Sequence, residues 1–375
     1  MISAAANQAL RPIILEVDLN AAAANMRAIR GLVGPDRKIF AVVKANGYGF
    51  GAAEVSVVFL QHGADALAVA DLSEGVRLRA AGITAPILVY PNSLPDVAHQ
   101  MVRHGLLPVL VDLASARAYA NAADGSYDVF VSIDVSYTGL GVTAEKAAKF
   151  ITDMLELPHL RLAGICAHGH THGDDRSYVE WQLNRFTAVV DELEAARVTV
   201  PIRLLAASPF ILRFPETYLN AVEPGRILYG ITYAGEKSPV PLRQTFHSLT
   251  TRVIAIQELK PPEGFAELAP FPVTAKMRVG VIPMGSADGL KWLNAGRVLV
   301  CGRSVSIMDK PSLEHARIDF TEVPEARVGD EVVIIGRQND AEITVAEVVE
   351  RHGLSLNQVA STVGPRVTRK YRSGG

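Results

Sequence analysis

The chain has 375 residues, of which 49 % are apolar and 20 % charged, and its formal net charge is −2 at pH 7. This composition supports a large buried core and excludes a disordered chain. The basic residues are scattered along the sequence, which argues against nucleic acid or an anionic membrane as the main partner.

Neither the cysteines nor the first residues indicate a secreted or membrane protein. Cys166 and Cys301 are the only two cysteines, so the sequence has no disulfide framework and no CxxC metal motif. The opening segment MISAAANQALRPIILEVDL lacks a basic stretch followed by a long apolar one, and no uncharged run reaches ~18 residues. We therefore expect a cytoplasmic protein.

Eight short runs rich in Val, Ile, Leu and Ala occupy the first part of the chain, and a helix-like segment follows each of them. They cover residues 38–44, 66–70, 86–90, 108–111, 129–134, 160–168, 202–208 and 226–231. Nearly continuous apolar runs are typical of parallel strands that are buried on both faces. One intervening segment, DLSEGVRLRAAG, begins at a good capping residue, Asp71, and ends at Gly82. Eight such units predict a (β/α)8 TIM-type barrel over residues 12–238, since an open sheet would more often stop at five or six strands.

The pattern changes after Gly235. Strand signals separated by turns follow, and helical patterns return only at 346–352 and near 355–362. Residues 239–375 are therefore predicted to form a second, mostly β C-terminal domain. An early strand at 13–18 precedes the barrel count and is free to pair with that domain.

The working groups of such a barrel lie at the carboxyl ends of its strands. The predicted strands end at Lys44, Asp134, His168 and Ser208. A lysine amine withdrawn from water at the barrel mouth can lose its proton and form a Schiff base with an aldehyde. The alternative is a strand-end lysine whose charged end reaches solvent and has no chemical role.

The glycines after Lys44 suggest a dinucleotide site, which we reject. Gly47, Gly49 and Gly51 form G-x-G-x-G, but residue 52 is alanine and no acidic ribose partner follows at a suitable distance.

A phosphate site is a better interpretation. Such barrels commonly bind phosphate with the loops after strands seven and eight. Those loops offer the Ser208 hydroxyl and the backbone amides of Gly225 and Arg226, in a Glu-Pro-Gly turn just before the predicted last strand. A Schiff-base lysine together with a phosphate site favours pyridoxal 5′-phosphate as the cofactor.

Motifs along nearly the whole chain resemble those of the alanine racemases, which are fold-type III pyridoxal-phosphate enzymes. The lysine segment AVVKANGYGFGA is the most specific match, and it is supported by LEVDLNAAAANMRAIR, ALAVADLSEGVRLRAAGITAPILVY, QLNRF, ASPFILRFPE, EPGRILYG, MGSADGL and VGDEVVIIG. The resemblance implies that Lys44 is the cofactor lysine and that His168 lies beside the cofactor ring. It places four residues in the phosphate shell, namely Tyr48, Ser208, Gly225 and Arg226. It also implies a homodimer in which two chains share each active site.

Several positions depart from the family's pattern. The family's second base is a tyrosine in a GYADG motif, whereas this chain has GSADG with Ser286. The family's arginine opposite the pyridine nitrogen is replaced by Glu223. A carboxylate there would hold a proton on the ring nitrogen and make the ring a stronger electron sink, as in fold-type III decarboxylases. The lysine and arginine that the family places around Asp134 are replaced by Ser132 and Gly139.

Two further segments supply candidate substrate contacts. In AHGHTHGDD, His168, His170 and His172 alternate, so an extended chain would direct all three to one side, where they could bind zinc with Asp174 or Asp175 nearby. We assign no metal, because loop histidines more often bind substrate or solvent. Leu313, in SLEHARID where the family has Met-Asp-Gln, is a second substrate-binding candidate.

The sequence thus predicts a pyridoxal-phosphate-dependent amino-acid racemase or epimerase with altered catalytic residues. Lys44 would serve one face of the substrate, and Ser286 or a histidine of the His168–His172 segment the other. An amino-acid decarboxylase, aldolase or lyase of the same fold is the alternative. A non-enzymatic cofactor carrier is disfavoured by the second domain, and a metal-dependent hydrolase leaves Lys44 unexplained. The expected partners are a small amino-acid substrate and a second copy of the chain.

Overall fold

The computed structural model describes residues 11–173, 175–233, 235–261, 271–273, 275–290, 293–294 and 296–373, and it divides into two units. One unit spans Ala21–Arg243, and the other combines the chain up to Asn20 with the chain from Gln244 onward. The predicted barrel domain, 12–238, therefore begins with a strand that belongs to the β-rich unit.

Eight parallel strands form a closed ring in the first unit. Each strand pairs with the next along the chain, and the eighth pairs with the first, so the predicted (β/α)8 barrel is confirmed. In chain order the barrel strands are Lys38–Val42, Ala66–Val69, Ile87–Val89, Leu107–Leu110, Tyr127–Asp134, Leu160–Cys166, Ile202–Ala207 and Ala221–Glu223, with a short strand Val142–Thr143 beside the fifth.

Helices alternate with these strands. They are Leu19–Val33, Ala52–Gln61, Leu72–Ala80, Ala98–Arg103, Leu113–Ala122, Ala144–Leu155, Arg176–Ala195 and Ser208–Arg213, with 3-10 turns at Pro95–Val97, Pro215–Thr217 and Arg226–Tyr229. The Asp71 carboxylate accepts the backbone N–H of Glu74, as expected of an N-cap. The helix that it caps ends close to the predicted Gly82, which has a φ of +87°.

Side chains from alternate positions of the strands fill one core cluster. They are Phe40, Val42, Ala66, Ala68, Leu88, Val109, Phe130, Cys166, Leu204 and Ala221. Burial in this apolar cluster raises the pKa of the Cys166 thiol well above its usual range, so this cysteine is a packing residue and not a nucleophile.

The position of the eighth strand differs from the prediction. The expected strand at 226–231 is wrong: Ala221–Glu223 is the strand, and Arg226–Tyr229 is a 3-10 turn that ends at Gly230 with a φ of +71°. A short buried apolar run does not distinguish a strand from a helical turn, whereas Pro224 and Gly225 do mark a break in the chain. Glu223 consequently ends a barrel strand, and the Glu-Pro-Gly turn follows the last strand instead of preceding it.

The second unit is built mainly from antiparallel sheet. A seven-stranded sheet contains Arg303–Ser306, Arg297–Val300, Glu331–Gln338, Phe246–Arg252, Ile14–Asp18 and Thr368–Arg372 in spatial order, with Ala341–Ile343 beside Glu331–Gln338. The early strand thus lies between Phe246–Arg252 and Thr368–Arg372. A three-stranded sheet contains Ala255–Leu259, Met277–Ile282 and Ala316–Asp319. The helices Val345–His352 and Leu356–Ser361 lie where the sequence predicts them, and a 3-10 turn spans Ser286–Asp288.

Candidate active site

Lys44 begins a tight turn directly after the first barrel strand. The next three residues, Ala45, Asn46 and Gly47, all have left-handed backbone angles, with φ of 54°, 53° and 62°. Only glycine adopts this region without strain, so the surrounding contacts must hold the other two. The Glu74 carboxylate supplies one such contact by accepting the Asn46 N–H at 3.2 Å, and its other oxygen accepts the N–H of Ala70 at 2.9 Å. The lysine is therefore carried by a turn with a determined shape.

The Lys44 amine lies over an aromatic ring that the sequence analysis did not single out. Its Nζ is 5.2 Å from the centre of the Tyr90 ring, which is the geometry of a cation–π contact. The Tyr90 hydroxyl in turn donates a hydrogen bond to Glu223 Oε2 at 2.6 Å. Tyr90 follows the third barrel strand, so the strand-end rule that selected Lys44 would also have selected this tyrosine.

Glu223 ends the eighth strand and is 4 % exposed. Its Oε2 accepts the bond from Tyr90, whereas its Oε1 lies 3.9 Å from His168 Nδ1, beyond hydrogen-bonding distance. No other donor within the described residues bonds either oxygen. Glu223 is therefore a buried carboxylate with one satisfied oxygen and one oxygen that lacks a donor, and not the surface acid that its loop-like surroundings in the sequence would allow.

The predicted phosphate shell forms a compact group. The Ser208 hydroxyl accepts the Gly225 N–H at 3.0 Å. A side chain at Gly225 would bring its Cβ within 2.5 Å of the Tyr48 hydroxyl, so only glycine fits at this position. Burial, and next the negative charge of Glu223, raise the pKa of Tyr48 well above its usual range, which keeps this phenol a donor.

Arg226 contributes to this group through its backbone alone. Its side chain is 5 % exposed and makes a bidentate pair with Glu236, at 2.6 Å and 2.5 Å, as well as a bond to the Ile231 carbonyl. Arg226 also begins a 3-10 turn, where the first N–H groups have no partner within the turn. The amide of Arg226 is thus available to an anion, whereas its guanidinium is committed to Glu236.

The histidine segment is held by a buried amide. Gln182 is fully buried and bonds the backbone of His170 twice, accepting from its N–H and donating to its carbonyl, each at 2.8 Å. The rings of His168 and His170 are 5.2 Å apart and nearly perpendicular. Burial, and next the proximity of His168, lower the pKa of His170, so its ring is more readily neutral.

The sequence pattern of His168, His170 and His172 also allows a metal site. Among the residues that the structure describes, no group of three or more His, Cys, Asp or Glu side chains is placed to hold a metal ion. Asp175 instead caps the helix Arg176–Ala195 by accepting the N–H of Tyr178, and Asp174 lies outside the described residues. His172 is exposed, and the roles proposed for His170 and His172 remain predictions.

Asp134, also selected as a strand-end residue, closes its own loop. Its carboxylate accepts the backbone N–H groups of Ser136, Thr138 and Gly139. Burial acts to raise the pKa of Asp134, but these hydrogen bonds outweigh burial and hold the pKa below its usual value. The carboxylate thus has a structural role at the end of the fifth strand.

Ser286 lies in the β-rich unit, in the turn Gly285–Gly289. The N–H of Ser286 donates to the Ser312 carbonyl at 2.9 Å, and the N–H of Ala287 donates to that of Leu313 at 3.0 Å. No hydrogen bond to the Ser286 hydroxyl is found within the described chain. Leu313 is 68 % exposed. The turn and the Leu313 segment are thus joined, and both candidate side chains lie beside this junction.

A closed (β/α)8 barrel followed by a β-rich second unit matches the fold of solved alanine racemases. The crystal structure of alanine racemase from Bacillus anthracis with bound L-Ala-P superposes with a TM-score of 0.88 at 29 % identity, over 97 % of this chain and 96 % of that one. Alanine racemase from Clostridium difficile superposes with a TM-score of 0.84 at 26 % identity, over 96 % of each chain.

Sequence comparison agrees with the structural likeness. The family model for the alanine racemase N-terminal domain matches residues 17–233, and that for the C-terminal domain matches residues 246–371. Alanine racemase from Desulforamulus reducens is 35 % identical over 368 residues, which are 96 % of this chain and 99 % of that protein. Alanine racemase from Methanococcus maripaludis is 31 % identical over 369 residues, 96 % and 98 % of the two chains.

The chain belongs to the alanine racemase family, so the predicted resemblance is confirmed. Enzymes of this family use pyridoxal 5′-phosphate, which is the cofactor predicted from the sequence. In the described part of the chain, no helix has both the length and the apolar character to cross a membrane.

Proposed function

We propose that the chain is a pyridoxal-phosphate-dependent amino-acid racemase or epimerase in which Glu223 and Ser286 replace residues of the family's usual site. The observation that supports it most directly is the group formed by Lys44, Tyr90 and Glu223. It places an amine and a buried carboxylate at the ends of the first and eighth barrel strands, on either side of one phenol.

Two further observations test whether these residues fit the cofactor. The Oε1 atom of Glu223 lacks a donor among the described residues, and a protonated ring nitrogen would supply one. At Gly225 the chain leaves no room for a Cβ beside Tyr48, which is the close backbone approach that a phosphate group requires. The residues therefore fit the group, with the amides of Gly225 and Arg226, the Ser208 hydroxyl and the Tyr48 hydroxyl as phosphate contacts.

The bound cofactor supplies an electron-withdrawing ring that stabilises negative charge at the substrate Cα. Lys44 holds the cofactor and transfers the proton at Cα on one face. Glu223 keeps a proton on the ring nitrogen. His168 Nδ1 lies 3.9 Å from Glu223 Oε1, and the His168 side chain is 67 % exposed.

The group that serves the opposite face is Ser286 or a histidine of the His168–His172 segment. A serine hydroxyl is a weak base without an activating neighbour, so the histidines are an alternative to it. As the family resemblance implies, we propose that Ser286 reaches this site from the second chain of a homodimer. Leu313, whose segment is hydrogen-bonded to the Ser286 turn, would then contact the substrate from the same chain.

One observation favours a second candidate function. A carboxylate opposite the ring nitrogen, in place of the family's arginine, strengthens the electron sink and suits bond cleavages other than proton removal. Decarboxylation of an amino acid is therefore the alternative to racemisation.

Borohydride reduction of the loaded protein, followed by peptide mapping, tests the site assignment. We expect label on Lys44 and its loss in Lys44→Ala. Lys38→Ala is the matched control, because Lys38 begins the same strand but is exposed and paired with Asp65. Label on another lysine would refute the assignment.

A panel of L-amino acids in deuterated water then separates the two reactions. Racemisation yields a deuterated D-isomer without loss of mass, whereas decarboxylation releases CO2. Release of CO2 without a D-isomer would refute the racemase proposal in favour of the decarboxylase.

A further inference from the structure

Tyr90 joins the two ionisable groups at the centre of the candidate site. Its ring covers the Lys44 amine and its hydroxyl bonds Glu223. We propose that Tyr90 is a positioning residue: its hydroxyl fixes the Glu223 carboxylate through Oε2 and leaves one defined oxygen, Oε1, open to hold a proton on a pyridine nitrogen. This inference rests on the function proposed above.

The position of the Tyr90 side chain is determined by rigid parts of the barrel. Its backbone N–H bonds the Val69 carbonyl at 3.0 Å, and its carbonyl accepts the N–H of Asn92 at 2.7 Å, so the end of the third strand is held on both sides. The ring packs against the inner core of the barrel. Within the described residues, a phenol held in this way donates to Glu223 Oε2, and it does not need to reorient when a ligand binds.

The electrostatic conditions keep the direction of this hydrogen bond constant. Burial, and next the negative charge of Glu223, raise the pKa of Tyr90 well above its usual value, so the phenol remains protonated and always donates. A hydrogen bond donated to a carboxylate favours its ionised form. Among the described residues, the other ionisable groups that interact with Glu223 are Tyr48, Cys166 and His168, and Lys44 lies over the Tyr90 ring. Of these, only His168 has a side-chain nitrogen within 4 Å of the carboxylate, and at 3.9 Å it makes no hydrogen bond.

The consequence concerns the location of one proton. With Tyr90 bound to Oε2, the open Oε1 would be the oxygen that holds a proton on the nitrogen of a bound pyridine ring. Without the phenol, the carboxylate would no longer be fixed in this position, and a bound ring would lose part of its electron-withdrawing strength. Tyr90 therefore acts through Glu223 and does not touch the reacting bond.

The test compares Tyr90→Phe with the wild-type holoenzyme. Phenylalanine keeps the ring over Lys44 and removes only the hydroxyl. We expect the ¹⁵N resonance of ring-labelled pyridoxal phosphate to move toward the value of an unprotonated pyridine. We also expect the dissociation constant of the cofactor to rise roughly tenfold, since the contact between the Glu223 carboxylate and the ring nitrogen would be weakened when the carboxylate is no longer held in place. Tyr218→Phe is the matched control, because Tyr218 also loses a buried 2.6 Å bond, to the Ile211 carbonyl, but is not connected to Glu223.

A third variant separates positioning from packing. In a Glu223→Gln background, adding Tyr90→Phe should change neither the resonance nor the affinity further, because the phenol acts through the carboxylate. Additive effects, or a ¹⁵N resonance that Tyr90→Phe leaves unmoved, would overturn the inference. A wild-type protein that takes no label on Lys44 would instead refute the proposed function, and the borohydride experiment detects that outcome separately.

Discussion

Removing one partner of the buried ion pair between Arg226 and Glu236 should strongly destabilise the barrel unit. Their side chains are 5 % and 10 % exposed, and two short charge-assisted bonds join them. Glu236→Ala removes both bonds and leaves a guanidinium that retains the Ile231 carbonyl and the face of the Tyr233 ring as partners. The charge would remain buried without a counter-ion.

The expected loss in the free energy of unfolding follows from the burial of this ion pair. Removing one partner of a buried ion pair costs about 3–5 kcal/mol, because the remaining charge is uncompensated. For a unit of this size the thermal midpoint should fall by roughly 6–20 °C. The double replacement Arg226→Met with Glu236→Leu removes the charge as well, and should recover most of the loss.

Thermal unfolding of the apo-protein, followed by circular dichroism, measures these changes. Asp153→Ala is the matched control, since it breaks the Lys149–Asp153 pair on the surface, where Lys149 is 80 % exposed. We expect no measurable change there. If Glu236→Ala proved as harmless as Asp153→Ala, the argument from burial would be wrong.

Two further predictions concern the residues of the predicted phosphate site and the loop after the fifth strand. Gly225→Ala should weaken cofactor binding at least tenfold, because the alanine Cβ would lie 2.5 Å from the Tyr48 hydroxyl. Adding Tyr48→Phe should recover part of the affinity, as measured by a fluorescence titration. If no affinity were recovered, the steric explanation would be contradicted. Asp134→Asn should lower the thermal midpoint at pH 7, since the hydrogen bonds that hold the Asp134 pKa below its usual value favour the ionised form in the folded state. That stability is present above about pH 4 and is lost as the pH falls through the lower, folded-state pKa, so the difference from wild type should shrink toward pH 3. A difference that stayed constant from pH 7 to pH 3 would contradict this assignment.

Local patterns in the sequence were sufficient for the architecture. Continuous apolar runs of strand length predicted seven of the eight barrel strands, and Asp71 predicted the start of its helix, because these features depend on side-chain burial and capping within a few residues. The eighth strand was misplaced because the run after Gly225 is equally apolar and buried as a 3-10 turn. Only the pairing of Ala221–Glu223 with both neighbouring strands determined which segment closes the ring.

The candidate site also contains residues that the sequence predicts and contacts that only the structure shows. Lys44, its glycine-rich turn and the Ser208 and Gly225 positions follow from motifs that are continuous in the sequence. The hydrogen bond between Tyr90 and Glu223 joins residues 133 positions apart, and no local pattern indicates it. The sequence by itself determined which residue types are present at the strand ends. Only the closure of the barrel decided which of them meet, because bringing together the ends of the third and eighth strands depends on every strand between them.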